Sequence, residues 1–116
     1  MMTIGHINEL DSKKMDHPEV KNAKMKVAVS PKEGWKDHVM RIMEVAPDGF
    51  TPKHSHPWPH INYIIQGEGT LLLDGVENPI KSGSYAFVPP EKLHQFKNNG
   101  KETLKFICIV PEEGHQ

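Results

Sequence analysis

The sequence predicts a single all-β domain, on three observations. From residue 25 onward, short apolar or alternating runs follow one another at intervals of roughly 8 to 12 residues, the spacing typical of a β-sandwich or barrel. The 9 glycines and 10 prolines supply frequent turns, and alanine, the best helix former, occurs only four times. With 116 residues, the chain is long enough for one hydrophobic core but not for two.

The first 24 residues are polar and predict an irregular N-terminal arm. Their apolar residues show no sustained period of 2 or 3.6, so neither a strand nor a helix is indicated. The alternating and apolar runs begin after this segment. We therefore divide the chain into an arm, 1–24, and a β-barrel domain, 25–116.

Nine strands are predicted, each bounded by glycine, proline, asparagine or other turn-forming residues. The clearest boundary is Asp74-Gly75, a two-residue hairpin signal between two such runs. Pro89-Pro90 marks a later corner of the chain. The predicted strands cover 25–30, 37–45, 53–56, 60–66, 70–74, 76–81, 85–88, 94–97 and 103–110.

Three of these strands contain residues that are apolar at successive positions, namely 63–65, 71–73 and 106–110. A barrel wall with one face in water alternates instead, so both faces of these strands require cover. A second copy of the chain supplies such cover through a sheet-to-sheet contact, which predicts a two-fold homodimer. The alternative is that the N-terminal arm folds over the barrel.

Charge and cysteine content limit the partners and the compartment. Lys plus Arg number 14 and Asp plus Glu 15, for a net charge of −1, so no basic excess attracts nucleic acid or anionic lipid. Cys108 is the single cysteine, which excludes an internal disulfide, and the chain does not open on a signal-peptide pattern. We expect a cytoplasmic protein with a small-molecule partner, and no nucleic-acid or membrane partner.

Four of the eight histidines are spaced as metal ligands. Residues two apart on a strand share a face, so His54 and His56 are expected side by side. Two prolines then interrupt the strand and turn the chain so that His60 faces the same point, and His94 begins a later strand. An isolated histidine is usually a hydrogen-bonded core residue, but four imidazoles that converge form a divalent-metal site. The remaining histidines are expected at the surface: His6, His17, His38 and His115.

These residues resemble the first sequence motif of the cupin superfamily, which runs Gly, five residues, His-x-His, three or four residues, Glu, six residues, Gly. His54, His56 and Gly67 match this motif. His60 stands in the glutamate position, and Gly49 lies one residue closer to the histidine pair than usual. The resemblance implies a single-domain cupin fold, which is a double-stranded β-helix or jelly-roll barrel.

The second cupin motif runs Gly, five residues, Pro-x-Gly, two residues, His, three residues, Asn. Glu91 stands in place of its second glycine, a departure that we expect to change a turn and not the metal site. The resemblance covers about 25–111 and implies one divalent ion per chain. The residues that match the second motif are Gly83, Pro89, His94 and Asn98. The implied metal ligands are His54, His56, His60 and His94.

Histidine in place of the usual glutamate changes the charge of the implied site. Four neutral imidazoles leave a divalent ion its full +2 charge, which makes it a stronger Lewis acid than one bound by a carboxylate. The resemblance to small four-histidine cupins implies an octahedral ion with two open positions, whereas a tetrahedral ion would have none. Mn or Fe is the usual ion in such cupins, while intrinsic affinity favours Zn, Ni or Cu.

Three residues are predicted to form the wall of a pocket beside the site. Counting by twos from His94 turns Phe96 inward, and an aromatic wall excludes water and favours an apolar or aromatic ligand. On the last strand we place Phe106 and Cys108 inward, in preference to the alternate set Ile107 and Ile109. For Cys108, the alternative to a role near the ion is a small, inert core residue.

Two further pocket candidates are Arg41 and Trp58. Arg41 lies among apolar neighbours; if it faces inward, its planar guanidinium suits a substrate carboxylate, and the alternative is a solvated edge position. Trp58 lies between two prolines and is predicted to cover the pocket mouth, although packing within the loop explains it equally well.

The sequence predicts a metal-dependent enzyme that acts on a small molecule. Oxygenase-type chemistry leads, because many cupins are dioxygenases and no carboxylate lies inside the motifs at ligand spacing to act as a general base. The superfamily also includes isomerases, lyases and decarboxylases, so the fold alone does not select the reaction. The alternatives are a binding or sensing module without turnover and an empty barrel that has lost its metal.

Overall fold

The computed structural model describes residues 2–15 and 17–115, and their β-strands curl into one sheet. The all-β prediction is confirmed. Short 3₁₀ helices lie at Ile7–Glu9, Pro31–Glu33 and Glu112–His115. Within the described residues the strands are β1 (Lys13–Lys14), β2 (Lys21–Val29), β3 (His38–Phe50), β4 (His60–Gln66), β5 (Glu68–Leu73), β6 (Val76–Lys81), β7 (Tyr85–Val88), β8 (His94–Lys97) and β9 (Leu104–Pro111).

The long strand β3 organises the sheet, whose order is β6-β5-β8-β3-β9-β4-β7. Along most of its length β3 pairs with β2 on one side and β9 on the other, and its last residue, Phe50, pairs with Lys97 of β8. All of these pairings are antiparallel. The side chains that face into the curl form the core, with the aromatic ring of Phe106 and the aliphatic side chains of Leu104, Val39 and Val45 fully buried.

The N-terminal arm is more regular than the sequence indicates. Lys13–Lys14 pairs with β2, and β2 begins at Lys21 rather than at Met25. Ala23 is buried in the core, and β2 is paired with β3 from its first residue. Pairing with a neighbouring strand therefore orders a polar stretch that lacks the apolar alternation of an autonomous strand.

The strand predicted at 53–56 is wrong. This stretch is irregular apart from one isolated bridge between His54 and His94. Prolines lie just before and just after it, at Pro52 and Pro57, and proline cannot donate a backbone hydrogen bond to a neighbouring strand. The histidine pair therefore lies on a loop that is restrained by prolines.

The hairpin predicted at Asp74-Gly75 is confirmed between β5 and β6. Both residues have positive φ, 52° and 84°, as a tight two-residue turn between twisted strands requires. No helix within the described part of the chain is long and apolar enough to cross a membrane.

Alternation is clear on β4, where the sequence predicted burial of both faces. Asn62 and Ile64 are buried, whereas Tyr63 is 46% and Ile65 37% exposed. The single chain thus leaves the outer face of this strand uncovered. On β9 the burial also alternates, with Phe106, Cys108 and Val110 inside, so the inward set preferred from the sequence is the one observed.

Candidate metal centre and cavity

Backbone hydrogen bonds bring the first histidine of the loop to a distant strand. The amide of His54 donates to the carbonyl of His94 at 3.1 Å, and the amide of His94 donates back to the carbonyl of His54 at 2.9 Å. His94 is the first residue of β8, where it is buried. This reciprocal pair fixes the separation of the two backbones, although the two residues are 40 positions apart in the sequence.

The four histidine rings implied by the motifs lie together, with His60 and His94 buried, His56 half-buried and His54 exposed. His94 is the centre of the group, because the ring centroids of His54, His56 and His60 each lie 4.8 Å from its own. One potential ligand atom from each of His54, His56 and His94 lies within 4.8 Å of the other two. The cluster therefore combines two histidines from a loop, His54 and His56, with the first residues of two strands, His60 and His94. The sequence had predicted the first two on a strand of their own.

Hydrogen bonds at Nδ1 orient three of these rings. His56 Nδ1 donates to the carbonyl of Trp58 at 2.8 Å, and His94 Nδ1 donates to the carbonyl of Lys92 at 2.9 Å. His60 Nδ1 donates to Oδ1 of the buried Asn62 at 2.6 Å. Since a carbonyl oxygen can only accept, each neutral ring carries its proton on Nδ1 and presents the Nε2 lone pair to the cluster. Such second-sphere carbonyls are typical of metal-binding histidines.

The spacing of two Nε2 atoms provides a test of whether the residues fit a metal ion. His60 Nε2 and His94 Nε2 lie 3.2 Å apart. When both rings are neutral and protonated on Nδ1, no proton lies between these atoms, so two lone pairs face each other. Nitrogen ligands about 2.1 Å from an ion at angles of roughly 90–110° stand about 3.0–3.4 Å apart. The observed separation fits a cation shared by both rings.

Burial keeps the cluster neutral. The pKa values of His54, His60 and His94 are lowered from 6.5 to about 4, chiefly by removal from water, and for His54 and His94 the nearby rings contribute to this shift. Burial also lowers the pKa of His56. Neutral imidazole is the form that binds metals, so the cluster is ready to coordinate an ion at neutral pH.

We expect the metal-free protein to lose stability as the pH falls from about 6.5 to 4. Histidines with a lowered folded-state pKa bind more protons in the unfolded chain over this interval, so acid favours unfolding. The measurement is the melting temperature of chelator-treated protein across this range. His60→Gln, which cannot titrate, should show a shallower decline; a wild-type melting temperature that is constant or rises on acidification would contradict the prediction.

A cavity of about 420 Å³ adjoins the histidine cluster. This volume lies within the range of small-molecule sites. Phe96 and Phe106 form one wall, with their rings stacked at a centroid distance of 4.2 Å. Met25 and Met43 add further apolar surface. All of the pocket candidates from the sequence line this cavity: Arg41, Trp58, Phe96, Phe106 and Cys108.

Arg41 and Cys108 meet inside the cavity. They are directly paired between β3 and β9, and Arg41 Nη2 donates to Cys108 Sγ at 3.2 Å. Of the two positions left open for Arg41, the structure therefore shows the inward one. Cys108 is 4% exposed and contacts a cation, but it also belongs to the hydrophobic core, which was the alternative for this residue.

Besides Trp58, residues near the two ends of the chain line the cavity. Trp58 stacks on His56, with ring centroids 4.6 Å apart and an interplanar angle of 11°. The backbone of Gly114 lies against the indole, since a Cβ at that position would clash with Nε1 of Trp58. The C-terminal 3₁₀ helix thus places His115 in the cavity lining. His17 also lines the cavity.

His17 and His115 were expected at the surface because neither has a histidine partner at ligand spacing. His17 is exposed, which agrees with the expectation, although it also lines the cavity. For His115 the expectation is wrong. His115 is half-buried, and burial lowers its pKa, with the Arg41 charge adding to the shift. No local pattern could have indicated this, because contact between the C-terminal turn and the loop of Trp58 brings His115 into place.

Two motif residues outside the ligand set support the geometry. Asn98 is buried and donates through Nδ2 to the carbonyls of Val45 and Glu102, both at 2.8 Å, which ties the loop after β8 to β3. Glu91 has φ of 69°, in the left-handed region that favours glycine. Its amide donates to the carbonyl of His56 at 2.7 Å. The glutamate substitution therefore falls in a strained turn that contacts the metal-site loop through its backbone.

A family model described as the cupin domain matches residues 41–110. Auxin-binding protein 1 of Arabidopsis thaliana is 28% identical over 92% of this chain and 58% of its own length. The oxalate-binding protein of Thermotoga maritima is 30% identical over 59% of this chain and 57% of its length. The chain thus spans somewhat more than half the length of these two relatives.

A solved structure has a similar fold. The polyketide cyclase RemF of Streptomyces resistomycificus superposes with a TM-score of 0.89 over 96% of this chain and 80% of its own, at 26% identity. The family match covers more than half of the chain and includes all four clustered histidines, so the resemblance carried by the two motifs is confirmed. The chain belongs to the cupin domain family.

Proposed function

We propose that this protein is a metal-dependent enzyme that acts on a small molecule in the cavity beside the histidine cluster. The observation that carries the proposal is that converging Nε2 lone pairs from separate elements border a cavity of about 420 Å³. A structural metal site is closed by its ligands, whereas this one opens onto space for a substrate. We assign His54, His56, His60 and His94 as the ligands of one divalent ion per chain.

The bound ion would supply Lewis-acid or redox chemistry to a substrate in the cavity. The protein's own residues have two tasks around it. Asn62 and the carbonyls of Trp58 and Lys92 keep the imidazoles in the tautomer that can coordinate. The stacked Phe96 and Phe106 exclude water from the inner wall.

Oxygenase-type chemistry remains the leading reaction in this proposal. Among the described residues that line the cavity there is no Asp or Glu, so no carboxylate is on hand for general acid–base work. This composition favours redox or Lewis-acid chemistry at the ion. Mn or Fe is the proposed ion, with Zn, Ni and Cu as the other candidates.

Metal analysis and turnover test this proposal together. Protein produced without a polyhistidine tag should contain close to one equivalent of a transition metal by mass spectrometry. Metal-loaded protein should then consume dioxygen in the presence of an aromatic, alkene or diketone substrate. His54→Ala should abolish this uptake, whereas His38→Ala, an exposed histidine outside the cavity, should not. Stoichiometric metal without any uptake would contradict the oxygenase chemistry.

A binding or sensing module without turnover is the second candidate. It is supported by the names of two relatives, an auxin-binding and an oxalate-binding protein. The same substrate panel separates the two functions, because saturable binding without product formation indicates the module.

The single buried cysteine is compatible with the cytoplasmic location predicted from the sequence.

We further propose that the protein is a homodimer through the outer face of β4 and β7. Five large apolar side chains are exposed there, and four of them pair across the two strands, Ile61 with Phe87 and Tyr63 with Tyr85. Their exposed fractions are 53% for Ile61, 46% for Tyr63, 37% for Ile65, 84% for Tyr85 and 59% for Phe87.

The size of this face supports a second copy of the chain as its occupant. With large side chains of about 150–250 Å² each, these fractions leave on the order of 500 Å² of apolar surface. A stable interface buries about 800 Å² on each partner, so the patch provides most of the central area. A two-fold axis would place this patch of one copy against the same patch of the other copy, as in most homodimers.

Light scattering after size exclusion should give twice the chain mass of 13.2 kDa for the wild-type protein at micromolar concentration. Phe87→Lys places a charge within the face and should shift the mass to that of a single chain. Val76→Lys, at a residue 60% exposed on β6, is the matched control and should leave the dimer intact. A wild-type monomer would refute the proposal.

A further inference from the structure

Two buried side-chain nitrogens have no hydrogen-bond partner among the described residues: Arg41 Nε and His115 Nδ1. Buried polar atoms are nearly always paired, because an unpaired one loses its bonds to water without replacement. Both residues line the cavity beside the histidine cluster. The coincidence of the two unpaired atoms in one cavity indicates that a ligand supplies their partners.

Arg41 lies in the cavity without an acidic partner in the described part of the chain. It is level with Cys108 on β9, which is in turn level with Asn62 on β4, and all three line the cavity. The thiol of Cys108 is a weak acceptor, so its contact with Nη2 leaves the guanidinium charge uncompensated. The ion pairs found among the described residues are made by lysines elsewhere.

The cavity is positively charged although the protein is not. The chain as a whole has a formal net charge of −1. The lining contains Arg41, Lys13 and Lys14 but, among the described residues, no carboxylate. A concave site lined by one sign of charge concentrates ligands of the opposite sign. The missing ligand group is therefore an anion.

The rest of the wall specifies the body of the ligand. Phe96 and Phe106 stack on one side, and Met25 and Met43 add flexible apolar surface. A free inorganic anion would leave this surface in contact with water. The combination of one guanidinium with an apolar wall suits an organic acid in which the charge is confined to one end.

We propose that the cavity binds small organic acids with an apolar or aromatic body, and that Arg41 pairs with their carboxylate. The planar guanidinium offers two parallel N–H donors to the two carboxylate oxygens, a geometry that a lysine cannot provide. The apolar body packs against Phe96 and Phe106. This substrate class rests on the proposed function in that it places the acid in the same cavity as the metal centre.

The test compares phenylacetate with phenylacetamide, which has the same shape without the charge. Dissociation constants are measured by calorimetry on chelator-treated protein, so that no metal contributes to carboxylate binding. We expect phenylacetate to bind at least tenfold more tightly than the amide. Arg41→Met, which keeps an apolar stem of similar length, should abolish this preference, and Arg41→Lys should restore only part of it. Lys32→Met, an exposed lysine outside the cavity, should leave it unchanged.

Equal affinity for acid and amide, no detectable binding of the acid, or an unchanged preference in Arg41→Met would each overturn the proposal. The melting temperature of Arg41→Met should equal or exceed that of the wild type, because the substitution removes an unpaired buried nitrogen. Metal content separates the two proposals. One equivalent of metal without the acid preference refutes only the role of Arg41, whereas the preference without metal refutes only the proposed enzyme.

Discussion

Replacement of His94 by alanine is expected to weaken metal binding by more than about 100-fold. Its ring lies 4.8 Å from each of the other three, and its backbone holds the loop that carries His54. Losing one ligand removes a coordinate bond and leaves a gap at the centre of the cluster. The measurement is competition with a chromophoric chelator at pH 7, with His38→Ala as the control.

The same titration decides whether the site has three or four histidine ligands. His60→Ala should weaken binding about as much as His94→Ala if its Nε2 coordinates the ion. Asn62→Leu should cost about 10- to 100-fold, because the hydrogen bond that orients the His60 ring is lost. Wild-type affinity in both variants would show that His54, His56 and His94 bind the ion by themselves.

Replacement of Phe106 by alanine is expected to lower the free energy of unfolding by about 3 kcal/mol. Large-to-small changes of buried aromatic residues cost about 3–5 kcal/mol, and one face of this ring already borders the cavity, which favours the lower value. Phe106 is 1% exposed and stacks on Phe96 at 4.2 Å. The total free energy of unfolding of a small domain is about 5–15 kcal/mol, so a loss of this size is a large fraction of its stability. Urea unfolding followed by circular dichroism measures the difference.

Phe106→Leu is the matched variant, since it keeps most of the apolar volume but loses the ring stack. We expect it to cost about 1 kcal/mol. A larger loss of stability in Phe106→Ala than in Phe106→Leu shows that the ring fills core volume as well as lining the cavity. An alanine variant as stable as the wild type would contradict this. It would mean that, in solution, the cavity already extends to the position that the structure assigns to this ring.

The sequence predicted the fold class and most strand positions because these depend on short-range information. Turn residues at regular intervals are a local property, and the strands they separate match the structure. The burial of both faces predicted for 63–65 and 106–110 does not match, because burial alternates along β4 and β9. The prediction failed at 53–56, where period-two spacing of the histidines suggested a strand but flanking prolines prevent one. It also missed the first four residues of β2, 21–24, because pairing with β3 orders residues that carry no strand pattern.

The residues of the candidate site also divide into those that local sequence information predicts and those that depend on long-range contacts. The histidine spacing was visible because each pair or single residue falls at a motif position, and the structure places all four rings together. His17 and His115 were missed because their place in the cavity depends on how the two ends of the chain fold over its mouth. No residue near either one in sequence indicates that contact.

By itself, the sequence determined an all-β chain and the four histidines that point to metal chemistry, since residue type and spacing suffice for both. Only the tertiary structure decided that Arg41 faces inward and that its charge has no acidic partner among the described residues. It also decided which side of β4 remains uncovered. These properties depend on which strands become neighbours. Pairing of β3 with β9 places Arg41 opposite Cys108, 67 residues away in the chain, and no local pattern encodes a contact over that distance.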